Sequence, residues 1–487
     1  MSPNTLYSYL AEYAKAAPGR RLLGDSRGWL SVQTVKDRVD GAAGCLVNQG
    51  IRQGSWVALR MNQTAEAAIW LLALQALGAV AVLTDPRSEA AEYLTRCTGN
   101  IRPEWEIYVE NSWMLHHLPT GRREPLAMDV PCPELPKLTG REPAMVIFTS
   151  GSTGKSKGVI LCQQNLISNL LDSAPLGGYS EDDVALGALP LHHVFGLALL
   201  TGSIVLRHSL YFTPGADLNT VLSTIQAQGI TRMNGVPALY LNMARRKGDY
   251  DLHTLRVGYI GGGPCTAEQF AEIEAGLGMT LVPVYGMSEC IGISCSSYRD
   301  SQAVRSGGVG KFYPMNRGKI LREDGTEAAP GEIGEVCVGG PMRMLGYCDS
   351  AETREAIDEY GFLHTGDLGY VDETGVLHLT GRKKDIIIRN GVNLSPRKIE
   401  EALLSIPGVA QAVVVGIPHP VQGEVPCAMA VSRYSELTLT AELSKRLPKN
   451  EIPVGISIVE EIPLTASGKP DKVKIWEVLT QWAKVRS

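Results

Sequence analysis

A glycine- and hydroxyl-rich stretch, TSGSTGKSKG, occupies residues 149–158 and directly follows the apolar run AMVIF. Its three glycines let backbone N–H groups converge, its five Ser and Thr hydroxyls donate hydrogen bonds, and its two lysines add positive charge. Together these groups suit the oxygens of a polyphosphate. The Walker nucleotide-binding pattern is disfavoured, because Gly154-Lys155-Ser156 has no glycine at the required earlier position. A flexible surface loop is the alternative that this stretch alone leaves open.

Further short motifs follow along the chain: LPLHHVFG, GGGP, YGMSE, HTGDLG, GRKKD and SGKPDK. Between them they contain histidines, carboxylates and basic groups that can bind anions, cations or protons. Each motif alone also has an ordinary structural explanation. A histidine in an apolar run is commonly a core residue, and isolated charges or a Gly-Lys pair commonly lie in solvated turns. It is the fixed order of the whole set that favours a functional role.

The elements around these motifs alternate between helix and strand patterns. Helical stretches such as AEAAIWLLALQALGAV alternate with short apolar runs that end in glycine-rich turns, namely AMVIFTSGSTG, LRVGYIGGGP and LVPVYGMSE. This alternation predicts an α/β fold with ligand-binding groups on loops at strand ends. The chain has 487 residues, of which 44% are hydrophobic and 20% charged, and this globular composition at such a length predicts at least two domains.

A second pattern begins near residue 331. The stretches GEIGEVCVGG and YGFLHTGDLGYVDETGVLHLTGRKKDIIIRNG predict short strands and turns, followed by one helix at SPRKIEEALLSI and two strands at AQAVVVGIP and PCAMAVSR. We therefore predict a large N-terminal domain of α/β layers with a β-rich subdomain, residues 1–383, and a small α+β C-terminal domain, residues 384–487.

Charge, apolar segments and cysteine usage limit the classes of function. The formal net charge is −5 without a dense basic block, which argues against nucleic-acid binding. The N-terminus does not have the basic residues followed by an apolar segment that are typical of a signal peptide. No apolar run approaches the roughly 18 residues that a membrane span needs. We therefore expect a cytoplasmic protein. The ten cysteines are scattered without a CxxC pair, which predicts buried thiols in a reducing compartment rather than a structural zinc site.

In their order along the chain, the motifs resemble those of the AMP-forming adenylating enzymes, the family of acyl-CoA synthetases, luciferases and peptide-synthetase adenylation domains. The resemblance extends from the strand before the glycine-rich loop to the SGKPDK motif near the end of the sequence. It implies a reaction in which ATP and a carboxylate give an acyl-adenylate and pyrophosphate, and a thiol then gives a thioester and AMP. It also implies that the small C-terminal domain is mobile and swivels between these two steps.

The resemblance implies an ATP site built from the glycine-rich loop and the later motifs. Tyr285 matches the residue that stacks on adenine, and Asp367 with Arg382 matches the pair that hydrogen-bonds the ribose hydroxyls. Glu289 matches the catalytic ligand of Mg²⁺, a cation that keeps several waters and needs only one or two protein carboxylates. The implied ATP- and AMP-binding residues are Thr149, Ser150, Gly151, Ser152, Thr153, Gly154, Lys157, Gly262, Gly263, Tyr285, Gly286, Ser288, Asp367 and Arg382.

The resemblance also assigns residues to catalysis and domain movement. His193 matches the histidine that helps to place the carboxylate, and Lys469 matches the lysine that stabilises the adenylation transition state. Lys384 matches the hinge about which the C-terminal domain turns. Asn390 and Gly391 match positions that flank the tunnel for the pantetheine arm of CoA.

The implied acid pocket is apolar, and we expect the glycines of GGGP to leave volume in it. No aspartate stands in HHVFGL to pair with the ammonium of an α-amino acid, and burying that ammonium without a partner would cost several kcal/mol. We therefore expect an apolar monocarboxylate, either an aromatic acid or a short- to medium-chain acyl acid. The pocket residues are His193, Val194, Phe195, Val236, Gly261, Gly262, Met287 and Ile291.

The thiol acceptor stays open at this point. RNGVNLSPRKIEEAL resembles the corresponding segment of CoA ligases, which favours CoA over a separate carrier protein with its phosphopantetheine. A nucleotide hydrolase and a non-catalytic nucleotide-binding homologue are alternatives of other classes. The second is disfavoured because the implied ATP-contacting and catalytic residues are all present. The sequence leaves a homodimer open.

Overall fold

The computed structural model describes residues 4–89, 94, 97–98, 101–149, 156–213, 217–465 and 470–486. The strands are β1 Arg21–Asp25, β2 Gly28–Ser31, β3 Trp56–Arg60, β4 Val80–Thr84, β5 Cys97–Thr98, β6 Trp105–Val109, β7 Trp113–His117, β8 Arg122–Pro125, β9 Pro143–Thr149, β10 Ser156–Cys162, β11 Val184–Gly187, β12 Ser209–Phe212, β13 Arg232–Gly235, β14 Val257–Ile260, β15 Thr280–Met287, β16 Cys290–Cys295, β17 Lys311–Phe312, β18 Arg317–Leu321, β19 Gly334–Gly339, β20 Gly346–Tyr347, β21 Leu363–Val371, β22 Leu377–Arg382, β23 Ile387–Arg389, β24 Val392–Leu394, β25 Val409–His419, β26 Gly423–Ser432 and β27 Gly455–Ile458.

The helices are α1 Leu6–Ala16, α2 Val32–Asn48, α3 Ala65–Ala76, α4 Gln163–Leu176, α5 Val194–Val205, α6 Leu218–Gln228, α7 Pro237–Arg246, α8 Ala267–Leu277, α9 Gln302–Gly307, α10 Ser350–Ala356, α11 Pro396–Leu404, α12 Glu436–Leu443 and α13 Lys472–Arg486. Within the described residues, none of these helices has the length and apolar character needed to cross a bilayer.

In the part of the chain that the structure describes, the strands form four sheets, named A to D. Sheet A has the order β17-β16-β15-β14-β13-β11-β12-β1-β2, and sheet B the order β20-β10-β9-β4-β3-β6-β7-β8 with β5 paired to β10. Sheet C has the order β18-β19-β21-β22, and sheet D the order β24-β23-β26-β25 with β27 paired to β26. In sheet A, β1, β12, β11, β13, β14 and β15 run parallel. Their carboxyl ends therefore lie at one edge of the sheet, where ligands bind in α/β folds.

Local sequence accounts for the elements that the patterns predicted. Helix α3 begins after Thr64, whose side chain accepts from the N–H of Ala67, and every residue of α3 except Glu66 is buried, as its predominantly apolar sequence requires. Helix α11 begins after Ser395, which accepts from the N–H of Lys398. The two predicted strands near the C-terminus pair antiparallel as β25 and β26. The predicted fold class, α/β layers with a β-rich part and a smaller α+β part, is confirmed.

Sheets A, B and C end in sequence at Arg382, and sheet D begins at Ile387. The segment between them contains one turn of 3₁₀ helix, Lys383–Asp385. The ammonium of Lys472 lies 2.6 Å from Asp385 Oδ2 and ties α13 to this turn. The predicted domain boundary falls within the turn and stays a prediction.

Sheet D has apolar cores of its own on both faces. Val414 and Ala428 belong to one buried cluster with helix α11, whereas Val413 and Cys427 belong to a second cluster with helix α13. Successive side chains of a strand point to opposite faces, so the two clusters use alternate residues. The large N-terminal core, in contrast, joins residues of sheets A and B with those of helices α1 to α5.

A buried charge cluster lies at the amino ends of the parallel strands, at the opposite edge from their carboxyl ends. Asp183 and Arg232 form an ion pair at 2.9 Å with both side chains only 1% exposed. The carboxylate of Asp183 also accepts hydrogen bonds from Arg256 at 2.7 Å and from Thr231 at 2.6 Å. The guanidinium carbon of Arg232 lies 3.2 Å from the ring centroid of Tyr179. A buried pair with this many partners is costly to break from one side.

His208 is buried beside this cluster. Its Nδ1 contacts Ser209 O at 3.1 Å, and its Nε2 is buried with no hydrogen-bond partner among the described residues. Burial, assisted by the positive charge of Arg232, lowers the pKa of His208 to about 4. The imidazole is therefore neutral in the folded protein at neutral pH.

The lowered pKa of His208 predicts a pH dependence of stability. Between the folded pKa and the ordinary value near 6.5, the unfolded chain binds more protons than the folded chain, so stability falls as pH is lowered through this window. The loss from this one residue is about 3 kcal/mol on going from about pH 7.5 to about pH 4. Urea unfolding of wild type and His208→Asn, whose amide can still donate to Ser209 O, measures it. If the free energy of unfolding changed with pH by the same slope in both proteins, His208 would not be the source of the pH dependence.

Candidate active site

Four neighbouring strands of sheet A, β11, β13, β14 and β15, end at Gly187, Gly235, Ile260 and Met287. Because these strands are parallel, the loops after them meet at one edge. The LPLHHVFG motif follows β11, GGGP follows β14, and YGMSE spans the end of β15. The structure thus places the motifs implied for the acid and for the nucleotide side by side.

The adjacent histidines lie at the N-terminus of helix α5. His193 is the residue before the helix, its carbonyl oxygen accepts from the N–H of Leu197 at 3.0 Å, and its ring centroid lies 4.4 Å from that of His192. A helix N-terminus carries partial positive charge and favours a carboxylate. Desolvation lowers the pKa of His192, although the charge of Asp85 acts in the opposite direction. The imidazole of His192 is therefore neutral at neutral pH.

The first turn of α5 is fixed to the neighbouring strand. Asn234 in β13 donates from Nδ2 to Phe195 O at 3.2 Å, while its Oδ1 is buried with no hydrogen-bond partner among the described residues. Val194 and Phe195 are half-buried and pack against the main core. Val236 is half-buried and precedes helix α7 at the next strand end. These apolar side chains line the same edge as His193.

The first three positions of GGGP are occupied by glycine for different structural reasons. A Cβ on Gly261 would lie 2.8 Å from Val284 O, so Gly261 is needed for close packing against β15. This close approach explains the glycine, and the place of Gly261 in the acid pocket stays a prediction. Gly262 has φ of +80°, which favours glycine. A Cβ on Gly263 would meet only Pro237 Cδ at 3.8 Å, so Gly263 borders open space.

The hairpin of β15 and β16 carries the remaining residues implied for adenine and the acid. A Cβ on Gly286 would lie 2.3 Å from Ile291 O, so only glycine allows this close turn. Ser288 lies in the turn between the two strands and is half-buried. Met287 and Ile291 are half-buried against the main core. The motif therefore folds as a tight hairpin whose tip carries Ser288 and the following carboxylate.

Tyr285, Asp367 and Arg382 form one hydrogen-bonded group, named the nucleotide triad. The hydroxyl of Tyr285 donates to Asp367 Oδ2 at 2.6 Å, and Arg382 Nε lies 2.8 Å from Asp367 Oδ1. Asp367 and Arg382 are direct cross-strand partners in sheet C. Burial, and next the charge of Asp367, keep the pKa of Tyr285 well above its ordinary value, so the phenol stays a donor. The triad joins the edge of sheet A to sheet C.

Glu289 is buried and linked to the strand after the glycine-rich loop. Its Oε1 accepts from the hydroxyl of Tyr347 at 2.7 Å. The ring of Tyr347 lies 4.9 Å from the ammonium of Lys157, which also lies 3.4 Å from Glu352 Oε1. Sequence reasoning did not single out Tyr347 and Glu352, because only the pairing of β20 with β10 brings them next to Glu289 and Lys157. The carboxylate of Glu289 is a donor type that Mg²⁺ prefers, so the site fits that cation.

The glycine-rich loop connects two antiparallel strands. Thr149 at the end of β9 is the cross-strand partner of Lys157 in β10. Both residues therefore sit at the base of the loop. The other loop residues implied to bind phosphate lie outside the described residues; they are Ser150, Gly151, Ser152, Thr153 and Gly154.

The residues implied for domain movement and CoA lie at the start of sheet D. Lys384 lies in the 3₁₀ turn that follows β22 and is exposed. Asn390, with φ of +53°, and Gly391, with φ of +77°, form the turn between β23 and β24. The N–H of Asn390 donates to Gln422 O at 2.8 Å, within sheet D. Lys469 lies outside the described residues.

Family models agree with this architecture. A model described as AMP-binding enzyme matches residues 10–348, and a model of the AMP-binding enzyme C-terminal domain matches residues 398–469. The chain belongs to the AMP-binding enzyme family. The resemblance inferred from the motifs is thereby confirmed.

Relatives within the AMP-binding enzyme family align along almost the whole chain. A 2-succinylbenzoate–CoA ligase of Bacillus thuringiensis subsp. konkukian (strain 97-27) is 30% identical over 476 residues, covering 96% of this chain and 97% of the relative. ATP-bound MatB from Rhodopseudomonas palustris has a TM-score of 0.86 and 25% identity, covering 98% of this chain and 99% of that one. The O-succinylbenzoate coenzyme A synthetase (MenE) from Bacillus subtilis, in complex with ATP and magnesium ion, has a TM-score of 0.80 and 27% identity over 95% of this chain and 98% of that one.

The nucleotide triad predicts a selective effect on the ATP requirement. Asp367→Ala removes the acceptor that the motif implies for the ribose hydroxyls and leaves Arg382 without its partner, so we expect the KM for ATP to rise about 10- to 100-fold. The ranking of carboxylic acids should stay the same. Asp372→Ala is the matched control, since Asp372 pairs with His378 at 2.8 Å in the same sheet but away from the triad. An unchanged ATP requirement in Asp367→Ala would contradict the ribose assignment.

Proposed function

We propose that this protein activates an apolar aromatic carboxylic acid with ATP, forms an acyl-adenylate and pyrophosphate, and then transfers the acyl group to CoA with release of AMP. It is an ATP-dependent, AMP-forming acid–thiol ligase. The observation that carries the proposal is the nucleotide triad with Glu289 at the same sheet edge as His193. The Bacillus relatives support the aromatic ring of the acid and CoA as the acceptor, because their name gives CoA and 2-succinylbenzoate, an aromatic acid with two carboxylates. A cytoplasmic location, where both ATP and CoA are found, belongs to the same proposal.

The first half-reaction joins the acid to the α-phosphorus of ATP. A carboxylate oxygen attacks that phosphorus, and the bond to the bridging oxygen breaks, so that pyrophosphate leaves. The ring of Tyr285 stacks on adenine. The carboxylate of Asp367 accepts hydrogen bonds from the ribose hydroxyls, while Arg382 binds Oδ1 of the same carboxylate. His193 and the N-terminus of α5 orient the carboxylate. Holding the two reactants in one geometry is itself a large part of such a rate acceleration.

Glu289 is the residue that would hold magnesium. Tyr347 orients its carboxylate through the 2.7 Å hydrogen bond. Burial, and next the charge of Glu289, raise the pKa of Tyr347, so that this hydroxyl stays a donor. Magnesium supplies positive charge that offsets the negative charge of the phosphates. Lys157, at the base of the glycine-rich loop, adds a second positive charge on the same side.

The second half-reaction moves the acyl group to sulfur. The thiol of CoA attacks the acyl carbon, the bond to the AMP oxygen breaks, and AMP leaves. We propose that the C-terminal domain turns about Lys384 between the two steps and brings Asn390 and Gly391 to the thiol tunnel. Free CoA, rather than a carrier protein, is the proposed acceptor.

The apolar side chains at this edge of sheet A limit which class of acid the site can bind. Val194, Phe195 and Val236 supply apolar contacts, and Gly263 borders open space. Pockets of this kind select largely by shape, which favours a flat aromatic acid or an alkyl chain over a charged side chain. The names of the relatives favour the aromatic class of the two.

A substrate panel tests the acid. Pyrophosphate release is measured with ATP, magnesium and one acid at a time, with 2-succinylbenzoate and benzoate as aromatic acids, octanoate as an alkyl acid, and glutamate and lysine as charged acids. We expect the highest kcat/KM with an aromatic acid. Faster turnover of glutamate or lysine would overturn the proposed acid class, while faster turnover of octanoate would replace aromatic by alkyl.

A second experiment tests the acceptor. Enzyme, ATP, magnesium and the best acid are mixed with free CoA, and mass spectrometry looks for acyl-CoA. We expect one acyl-CoA for each pyrophosphate released. Absence of acyl-CoA, despite acid-dependent pyrophosphate release, would overturn free CoA and favour a carrier protein.

A further inference from the structure

Three potential metal ligands from two strands of sheet C converge on one face of that sheet. Glu335 and Cys337 are two residues apart in β19, so their side chains point to the same face. Cys337 is the direct cross-strand partner of His364 in β21. The ligand atoms of the three side chains all lie within 4.8 Å of one another. This cluster is named the ECH cluster.

The distances within the ECH cluster fit a metal better than hydrogen bonds. His364 Nδ1 lies 3.5 Å from Cys337 Sγ and 3.4 Å from Glu335 Oε2. If the Cys337 thiol donates to Nδ1, that nitrogen has no proton left for Glu335, and a hydrogen bond from nitrogen to a carboxylate oxygen is usually about 2.7–3.2 Å. Ligands of a tetrahedral zinc ion, with bonds near 2.3 Å to sulfur and about 2.1 Å to nitrogen or oxygen, lie about 3.6 Å and 3.4 Å apart. The observed spacing is close to both values.

The second nitrogen of His364 faces a carboxylate. Its Nε2 lies 3.7 Å from Asp358 Oδ2. Metal-ligating histidines commonly direct their other N–H to a carboxylate, which fixes the tautomer and the ring orientation. The side chain of His364 is 33% exposed, whereas that of Glu335 is 14% exposed, so a cation can enter from the histidine side.

Two features oppose a cation at the ECH cluster. The ammonium of Lys383 lies 3.5 Å from Glu335 Oε2, and its side chain is 60% exposed, so it can swing into solvent. Burial, and next the charge of Glu335, raise the pKa of the Cys337 thiol to about 12, so a metal must displace that proton. Magnesium and calcium bind thiolate too weakly to offset the cost of removing this proton, whereas zinc binds thiolate strongly.

We propose that Glu335, Cys337 and His364 bind Zn²⁺, with water as the fourth ligand. This site is separate from Glu289 and does not depend on the proposed function. Glu335 Oε1 also accepts from the N–H of Gly366 at 3.1 Å, next to Asp367. A zinc ion would therefore tie β19 to β21 just before the nucleotide triad and stabilise that part of sheet C.

Binding of the metal alone tests the proposal. The full-length protein is treated with a chelator, freed of it, and titrated with Zn²⁺ by calorimetry and with Co²⁺ by absorption spectroscopy. We expect one equivalent of tightly bound metal, a thiolate-to-cobalt absorption band in the near ultraviolet, and a higher unfolding temperature with zinc. Cys337→Ala should abolish the band, and His364→Gln should weaken binding at least about 10- to 100-fold.

Matched variants exclude adventitious binding. His378→Gln removes another half-buried histidine from sheet C, and Cys132→Ser removes an exposed thiol. Both should keep the affinity and the absorption band of wild type. Lys383→Gln should tighten zinc binding, because it removes the competing ammonium. Absence of the thiolate band from wild type, or its persistence in Cys337→Ala, would overturn the zinc site.

Discussion

Replacing Lys469 by alanine is expected to slow acid-dependent pyrophosphate release by about 10²- to 10³-fold, while conversion of supplied acyl-adenylate and CoA to thioester stays largely intact. As the carboxylate attacks, negative charge gathers on the phosphoryl oxygens. A fixed ammonium stabilises that transition state more than the ground state. The position of Lys469 in PLTASGKPDK carries this expectation, since the residue lies outside those that the structure describes.

Lys474→Ala is the matched control for Lys469. It removes an exposed ammonium from the following helix, where Lys474 lies 3.4 Å from Asp471. Both half-reactions should keep their wild-type rates in that variant. Equal loss of both half-reactions in folded Lys469→Ala would contradict the proposal that the C-terminal domain alternates between two states.

Replacing Gly391 by tryptophan is expected to have the opposite effect. Thioester formation should fall on the order of 10²-fold, because a bulky side chain displaces the thiol from its reacting position. Pyrophosphate release should stay near the wild-type rate. A Cβ on Gly391 would meet no atom within 4 Å in this conformation, so we expect the indole to obstruct a state in which the turn faces the N-terminal domain.

A tryptophan substitution at a second glycine separates obstruction of the thiol tunnel from the effect of backbone strain. Gly391 has φ of +77°, where any L-residue is strained, and Gly325 has φ of +81° with equally open surroundings. Gly325→Trp therefore imposes the same strain and bulk on a turn outside the motifs. We expect both half-reactions to survive in it. Thioester formation at the wild-type rate in Gly391→Trp would contradict the tunnel assignment.

The sequence was sufficient to predict the fold class and the strand ends that carry the motifs. Both follow from local patterns: an apolar run such as LRVGYI forms β14, and the glycines after it form the turn. Contacts between distant residues could not be predicted in this way. The bond from Tyr285 to Asp367 joins residues 82 positions apart, and it depends on how sheet C packs against the edge of sheet A.

Other features that the sequence did not predict also depend on contacts between residues that are distant in sequence. Gly261 resembles a pocket glycine in sequence, but the backbone of Val284 in the neighbouring strand is what excludes a side chain there. Tyr347 reaches Glu289 only because β20 pairs with β10 beside the glycine-rich loop. Cys337 and His364 are distant in sequence, and only strand pairing places them opposite each other. The roles of all the predicted site residues, including the loop residues 150–154 and Lys469, stay predictions.

The central claim, AMP-forming ligation of an acid to CoA, is tested most directly by the stoichiometry of a single reaction. Wild-type enzyme is incubated with ATP, magnesium, CoA and an aromatic acid, and pyrophosphate, AMP, ADP, phosphate and acyl-CoA are quantified. The account predicts equal amounts of pyrophosphate, AMP and acyl-CoA, all dependent on the acid, and no ADP. Formation of ADP and phosphate, or ATP turnover without any acid, would contradict it.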